Sequence, residues 1–227
     1  MNSLPLVSFF ATIALYFSAK WIYKQKPLIY FSPLVTVPTL IAILLLTVHI
    51  SYDTYNSGAK WLNIMLQPAT IAFAVPLYKY RDILKKHAME IIPSVLLGSV
   101  TAMISSAWIA EGLNIDKQLI GSLIPRSVTT PIAMDASQLI GGVPSVTAVI
   151  VIMTGILGSI LGPFVIQFLK IESDIARGVL FGTSSHAVGT VRAFQFSTTT
   201  GTVACLSMIL AAIITISTVQ LLLPVMI

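Results

Sequence analysis

The sequence predicts an all-α integral membrane protein of about seven to eight transmembrane helices, and three observations carry that prediction. The first is charge. Charged residues make up 9% of the 227-residue chain against 56% hydrophobic, where a soluble domain carries about 25% charged residues to face water. The second is the form of the apolar segments. Runs such as 40–48 and 146–156 are continuous, whereas a transmembrane β-barrel alternates polarity within strands of about ten residues. The third is length, because each span takes about 20 apolar residues. With a mean hydropathy of +0.92, a soluble enzyme, a nucleic-acid binder and a disordered chain are all excluded. The net charge of +5 needs no nucleic acid to explain it, since cytoplasmic loops collect Lys and Arg. The lone cysteine, Cys205, sits inside an apolar run, so no intramolecular disulfide forms and the redox compartment stays open.

The elements follow in order. The first run, 4–23, has no basic residue before it and Lys20, Lys24 and Lys26 at or after its end. That is the reverse of a cleavable signal peptide, so the run is expected to remain with its N-terminus outside. A second run, 28–50, contains Pro33 and Pro38; a polar loop, 51–60, separates it from a third run, 61–78, interrupted by Gln67-Pro68 and Pro76. The most charged stretch comes next, with Lys79, Arg81, Asp82, Lys85, Lys86 and His87. A fourth run fills 91–110 and residues 111–117 close the first half. The second half opens with an unusual segment, 118–142, and continues with runs at 144–169, 175–196 and 202–227.

Topology turns on the segment 118–142. A single crossing would put Lys170 and Arg177 outside. A re-entrant hairpin moves both inside, leaving Lys60 and Lys117 as the outside loop cations. The positive-inside rule prefers the hairpin.

The chain reads as one membrane domain with an N-terminal span (1–27) and two repeats (28–116 and 117–227). Pro33-Leu-Val-Thr-Val-Pro38 is echoed by Pro125-Arg-Ser-Val-Thr-Thr-Pro131, and Leu66-Gln-Pro-Ala-Thr70 by Gly182-Thr-Ser-Ser-His186. Matching interrupted helices in two halves point to the binding site of a secondary transporter. With the hairpin topology the halves form an inverted repeat of the cation/proton antiporter–anion transporter type. Proline-broken helices are also common in membranes, so the echo has a plain reading as well.

Two cations stand where a bilayer least tolerates them, Arg126 and Arg192. An Arg at the bilayer centre costs at least about 2.5 kcal/mol and so faces a cavity, a partner or a substrate. Arg126 has Asp135 as its nearest acid in sequence, and an Arg126–Asp135 ion pair is the structural alternative to a site. For Arg192 the alternative is snorkelling to an interface. Around Arg126, Ser127, Thr129 and Thr130 offer hydroxyls, and the flanking prolines prevent a continuous helix. The restart near Pro131 then presents a positive helix end, which with a guanidinium fork suits a carboxylate. The second break supplies Thr183, Ser184, Ser185 and His186, with Gly182 and Gly189 for close approach. Gln67 belongs to the corresponding break of the first half.

His186 has a pKa suited to carrying a proton, or it is a neutral ring satisfying a backbone carbonyl or serine. A serine hydrolase is disfavoured, because adjacent Ser185 and His186 cannot face each other as nucleophile and base and no G-x-S-x-G elbow exists. His49, His87 and His186 lie in separate segments without metal-ligand spacing. The methionines read as packing filler. Gly155, Gly158, Ser159 and Gly162 recur on one helix face and predict a close helix contact, within a dimer in one reading.

Pro125-Arg-Ser-Val-Thr-Thr-Pro-Ile-Ala-Met134, Gly141-Gly-Val-Pro144 and Gly182-Thr-Ser-Ser-His-Ala-Val-Gly-Thr-Val-Arg-Ala193 resemble the signature segments of the LrgB/CidB family. The resemblance covers nearly the whole chain, including Ser51-Tyr-Asp-Thr-Tyr55 and Leu66-Gln-Pro-Ala69. Arg126 departs from it: the family usually has lysine there, and a guanidinium fork alters how a carboxylate is held. The resemblance implies two functions. One is antiholin-like or holin-like control of murein hydrolase activity and lysis. The other is movement of a small monocarboxylate, as in a plastid glycolate/glycerate translocator-like relative and pyruvate-linked bacterial relatives, often with a small LrgA/CidA-type membrane partner.

The expected protein is therefore a multi-pass component of the bacterial cytoplasmic (inner) membrane, not an enzyme. It is expected to use no cofactor or metal and to assemble as a homo-oligomer. Its expected substrate-binding residues are Arg126, Ser127, Thr129, Thr130, Thr183, Ser184, Ser185, His186, Arg192 and Gln67.

Overall fold

The structure, a computed structural model, describes residues 4–25 and 31–226. All regular structure among them is helical, and five helical stretches, one of them the run of short helices over 52–79, are long and apolar enough to cross a membrane. The described residues fall into two compact units, one ending at Ala69 and one beginning at Thr70.

In the first unit α1 (Leu4–Gln25) packs against α2 (Pro33–Val48) and α3 (Tyr52–Ile64). Gly58 permits the α1–α3 approach, because a Cβ there would strike the backbone of Pro5, and the Thr12 and Tyr55 hydroxyls bond at 2.9 Å. Pro33 opens α2 where a missing N–H costs nothing, and Pro38 lies inside the same helix. The proline pair at 33 and 38 thus starts a helix. Its echo at 125 and 131 flanks a turn, so the two pairs do different work. Leu6, Phe10, Phe17 and Trp21 stay exposed along α1, a lipid-facing pattern for an apolar helix. α4 (Leu66–Ile71) lies at the boundary of the units, and Met65 marks the break before it.

In the second unit α5 (Ala74–Lys79) and α6 (Arg81–Lys86) carry the basic stretch into α7 (Ala88–Gly112). Next come α8 (Lys117–Leu123) and α9 (Thr130–Leu139), then α10 (Pro144–Phe168), α11 (Asp174–Ala193) and α12 (Thr198–Met226). α12 is the spine. Val203, Ala211 and Ala212 join Ile91, Val95, Val128 and Val151 in one core cluster, while Val219 reaches a second with Met103 and Ile124.

The segment 118–142 folds back on itself. The Ser122 hydroxyl accepts the Val143 N–H at 2.8 Å, and a Cβ on Gly142 would lie 2.6 Å from the Gly121 carbonyl carbon. A straight helix would hold those positions about 30 Å apart at 1.5 Å per residue. α8 and α9 are therefore the two arms of a hairpin, as the charge distribution predicts.

The run 175–196, read from sequence as a span broken at 182–186, does break there, but the structure corrects the single crossing, because the chain turns back at the break to form a second hairpin. α11 kinks at His186, whose backbone (φ 38, ψ −128) leaves the helical region. Beyond it the chain doubles back: Gly189 lies against the Phe181 carbonyl, the Phe181 and Phe196 rings are 5.6 Å apart, and Ser197 bonds Asp174 at 2.8 Å. Because each hairpin returns to the end it left, α10 starts where α7 stops and runs the opposite way, and α12 then runs parallel to α7.

Candidate functional site

The tips of the two hairpins meet. In the first, Pro125 lacks the N–H that would continue α8, and the chain turns through Arg126 N–H to Leu123 carbonyl (3.2 Å) and Val128 N–H to Pro125 carbonyl (3.4 Å). Thr129 then precedes α9 in an extended conformation without a side-chain capping bond, with Pro131 in the first turn. In the second, Gly182-Thr-Ser-Ser-His leads to the kink. The tips enclose a cleft of about 170 Å³ lined by Gly98, Ala102, Arg126, Ser127, Thr183 and Ser184. Gly98 and Ala102 flank the middle of the 25-residue α7, so the cleft sits about half-way along a helix of membrane-spanning length.

Arg126 is fixed from one side only. Its Nε donates to Ser106 Oγ at 2.7 Å, and that hydroxyl in turn donates to the Ala102 carbonyl. Among the described residues the ion pairs are Arg81–Asp82, His87–Glu90 and Arg177–Asp174, so no acid neutralises Arg126. Asp135 is exposed on the far arm and does not pair with it. The cleft therefore holds a half-buried cation without a protein counter-charge, surrounded by hydroxyls and small side chains. Such a site attracts a small anion with a planar, two-oxygen head.

The remaining expected residues divide into groups. Thr183 and Ser184 line the cleft while donating back to Val179 and Leu180 carbonyls, each at 2.7 Å. Ser185 is fully buried and turned to α10, where Gly158 makes room for its hydroxyl. His186 is buried too. Its Nε2 bonds the Val151 carbonyl at 3.0 Å, with the ring seated on Gly155. Both therefore brace the tip from behind. Thr129 is buried with its hydroxyl unbonded, and Thr130 begins α9; neither lines the cleft. The structure does not bring Arg192 to the group: it is exposed and donates to Gln195 Oε1. The Gln67 side chain lies outside the described residues.

The α10 glycines, expected to make a close helix contact, do so within the chain: Gly155, Gly158 and Gly162 receive His186, Ser185 and Phe181. Sequence reasoning missed Ser106, Gly98 and Ala102. Their signal was available as a row of every-fourth residues on α7 (Glu90, Ser94, Gly98, Ala102, Ser106), one of the ridges by which helices pack. Among the described residues no cluster of three or more His, Cys, Asp or Glu could hold a metal.

Comparison with known proteins adds to this geometry. Residues 12–225 match the model of the LrgB-like family. The chain is 52% identical to the uncharacterized protein YwbG of Bacillus subtilis (strain 168), over 97% of this chain and 98% of that protein. It is 33% identical to the holin-like protein CidB of Staphylococcus aureus (strain N315), over 98% of this chain and 95% of that protein. It is 30% identical to the antiholin-like protein LrgB of Bacillus cereus (strain B4264), over 88% of this chain and 87% of that protein. No solved structure matches it.

Proposed function

The chain belongs to the LrgB-like family of membrane proteins, and from that premise we propose that it moves a small monocarboxylate of the glycolate, glycerate or pyruvate type across a bacterial cytoplasmic membrane. One observation carries the reading: Arg126, without an acid partner, faces a cleft of about 170 Å³ formed by two hairpin tips. A half-buried guanidinium without a counter-charge at membrane depth is costly, and an anion from solution relieves the cost. The carboxylate takes the Arg126 Nη groups, and the hydroxyls of Ser127, Thr183 and Ser184 orient the rest.

The chain order supports alternating access. A long helix followed by a hairpin occurs twice, over 88–139 and 144–193 rather than over the repeats expected at 28–116 and 117–227, and this reading takes the two as inverted copies. Motion of one against the other would open the cleft to either side in turn. In this arrangement the basic stretch 79–86 faces the cytoplasm, the hairpins enter from opposite faces, and a dimer or a small LrgA/CidA-type partner supports the moving unit.

The test is uptake of labelled glycolate or pyruvate by the purified protein in liposomes. Saturable uptake that Arg126→Ala abolishes is expected; full uptake by that variant would remove the site. The names of the relatives favour a second reading, a holin-like or antiholin-like protein, which in this reading modulates murein hydrolase activity. Its mark would be leakage of a neutral dye from the same liposomes, without selectivity for monocarboxylates.

A further inference from the structure

A second opening lies in line with the first. A cavity of about 310 Å³ is lined by Glu90 and Ser94 of α7, by Ser173, and by Ile175, Ala176 and Val179 among the α11 residues. The inner cleft continues the same two helices, with Gly98 and Ala102 on α7 and Thr183 and Ser184 on α11. Four residues of helix separate Ser94 from Gly98, a rise of about 6 Å. The two spaces lie in succession along α7 and α11, the outer one toward the end that carries Lys85 and Lys86 and the inner one at Arg126.

Gly98 stands at the junction, and it differs from the other glycines of the site. Gly155 and Gly158 are required by packing, since a Cβ on Gly155 would come 2.6 Å from His186 Cε1 and one on Gly158 would strike the Ser185 hydroxyl. A Cβ on Gly98 would meet nothing closer than Thr183 at 3.9 Å, an ordinary contact. Its backbone is plain α-helix, so no positive φ demands glycine. A glycine inside a helix is less favourable than alanine. Neither packing nor backbone geometry accounts for that cost here. What the missing side chain leaves is room between α7 and the second hairpin tip.

We infer that the α7–α11 groove is the solute's path from the Lys85–Lys86 end to Arg126, and that Gly98 is the residue that sets how large a solute passes. The inference rests on the transport reading above and adds a side and a size filter to it. A methyl group at position 98 projects toward Thr183 and narrows the junction. An isobutyl group fills it.

Two measurements test this. In liposomes, Gly98→Ala should lower uptake of three-carbon pyruvate relative to two-carbon glycolate by about tenfold, the worth of one methyl-sized misfit. Gly98→Leu should stop both, with Arg126 and its Ser106 contact intact. An unchanged pyruvate-to-glycolate ratio in Gly98→Ala, together with retained uptake in Gly98→Leu, overturns the filter. The second measurement does not need transport. In a Cys205→Ala background, Ser94→Cys should react with an anionic, membrane-impermeant methanethiosulfonate added on the side of Lys85 and Lys86. Reaction only from the opposite side, or from neither, overturns the path. A wild-type protein that takes up neither acid removes the transport reading and the filter with it, while the labelling still decides whether the groove is open.

Discussion

The Ser197 hydroxyl donates to the Asp174 carboxylate at 2.8 Å, although the helical segment Asp174–Ala193 lies between them. A straight helix of that length would part its ends by about 30 Å. Thr200 adds a second bond to the same carboxylate at 3.0 Å, and Arg177 approaches it at 3.8 Å. This clasp closes the base of the second hairpin and holds its tip at mid-depth against Arg126.

Opening the clasp should loosen the hairpin. Asp174→Ala removes the acceptor of two hydroxyl bonds from a half-exposed site, a loss of about 1–2 kcal/mol for bonds to a charged group in partial contact with water. A lower melting temperature in detergent is expected, with Ser197→Ala showing a smaller drop. Equal stability of Asp174→Ala and wild type would mean the clasp holds nothing.

The α10 glycines should be intolerant of a methyl group. Gly158→Ala drives a Cβ into the Ser185 hydroxyl, and overpacking of this kind costs about 1–3 kcal/mol. Gly112→Ala, with nothing within 4 Å of the new Cβ, should be neutral or slightly stabilising. Thermal unfolding of the pair checks both signs at once.

Ser106 should matter to transport without touching solute. It fixes Arg126 through Nε at 2.7 Å, so Ser106→Ala frees the guanidinium and leaves its Nε–H unpaired. A bond to a charged group is worth roughly 1.5 kcal/mol or more, about tenfold in affinity. The expected result is a raised KM for uptake, with rescue by Ser106→Thr. A KM that stays put in Ser106→Ala would assign the contact to packing alone.

The two intramembrane-stretch arginines should separate cleanly. Arg192→Ala, at an exposed residue bonded to Gln195, should keep wild-type uptake. Arg126→Lys should retain part of it, because an ammonium keeps the charge but loses the two-pronged grip. Loss of uptake in Arg192→Ala would place a second cation in the path.

Much of the candidate site could be read from local chemistry. Pro125 and Pro131 announce a break, Arg126 is a cation that a bilayer tolerates only beside a cavity, a partner or a substrate, and Gly182 with its following hydroxyl residues announces a second break. The glycine spacing at 155, 158 and 162 announces a close contact. None of these signals names its partner. His186 reads from sequence as either a proton carrier or a satisfied ring, and the bond to Val151 at 3.0 Å is made with a residue 35 positions away. Ser106 is an ordinary helix serine until Arg126 arrives beside it.

The sequence alone determined that the protein is helical and resides in a membrane, where its helices break, and that two cations, Arg126 and Arg192, are out of place. Those properties follow from composition and from backbone preferences that act over a few residues. Tertiary structure decided that both breaks are hairpin tips, that they meet at the middle of α7, that Arg126 rather than Arg192 is gathered there, and that the α10 glycines serve contacts within the chain. These are contacts between segments distant in sequence. They are fixed by which surfaces fit together, and no local preference encodes that fit.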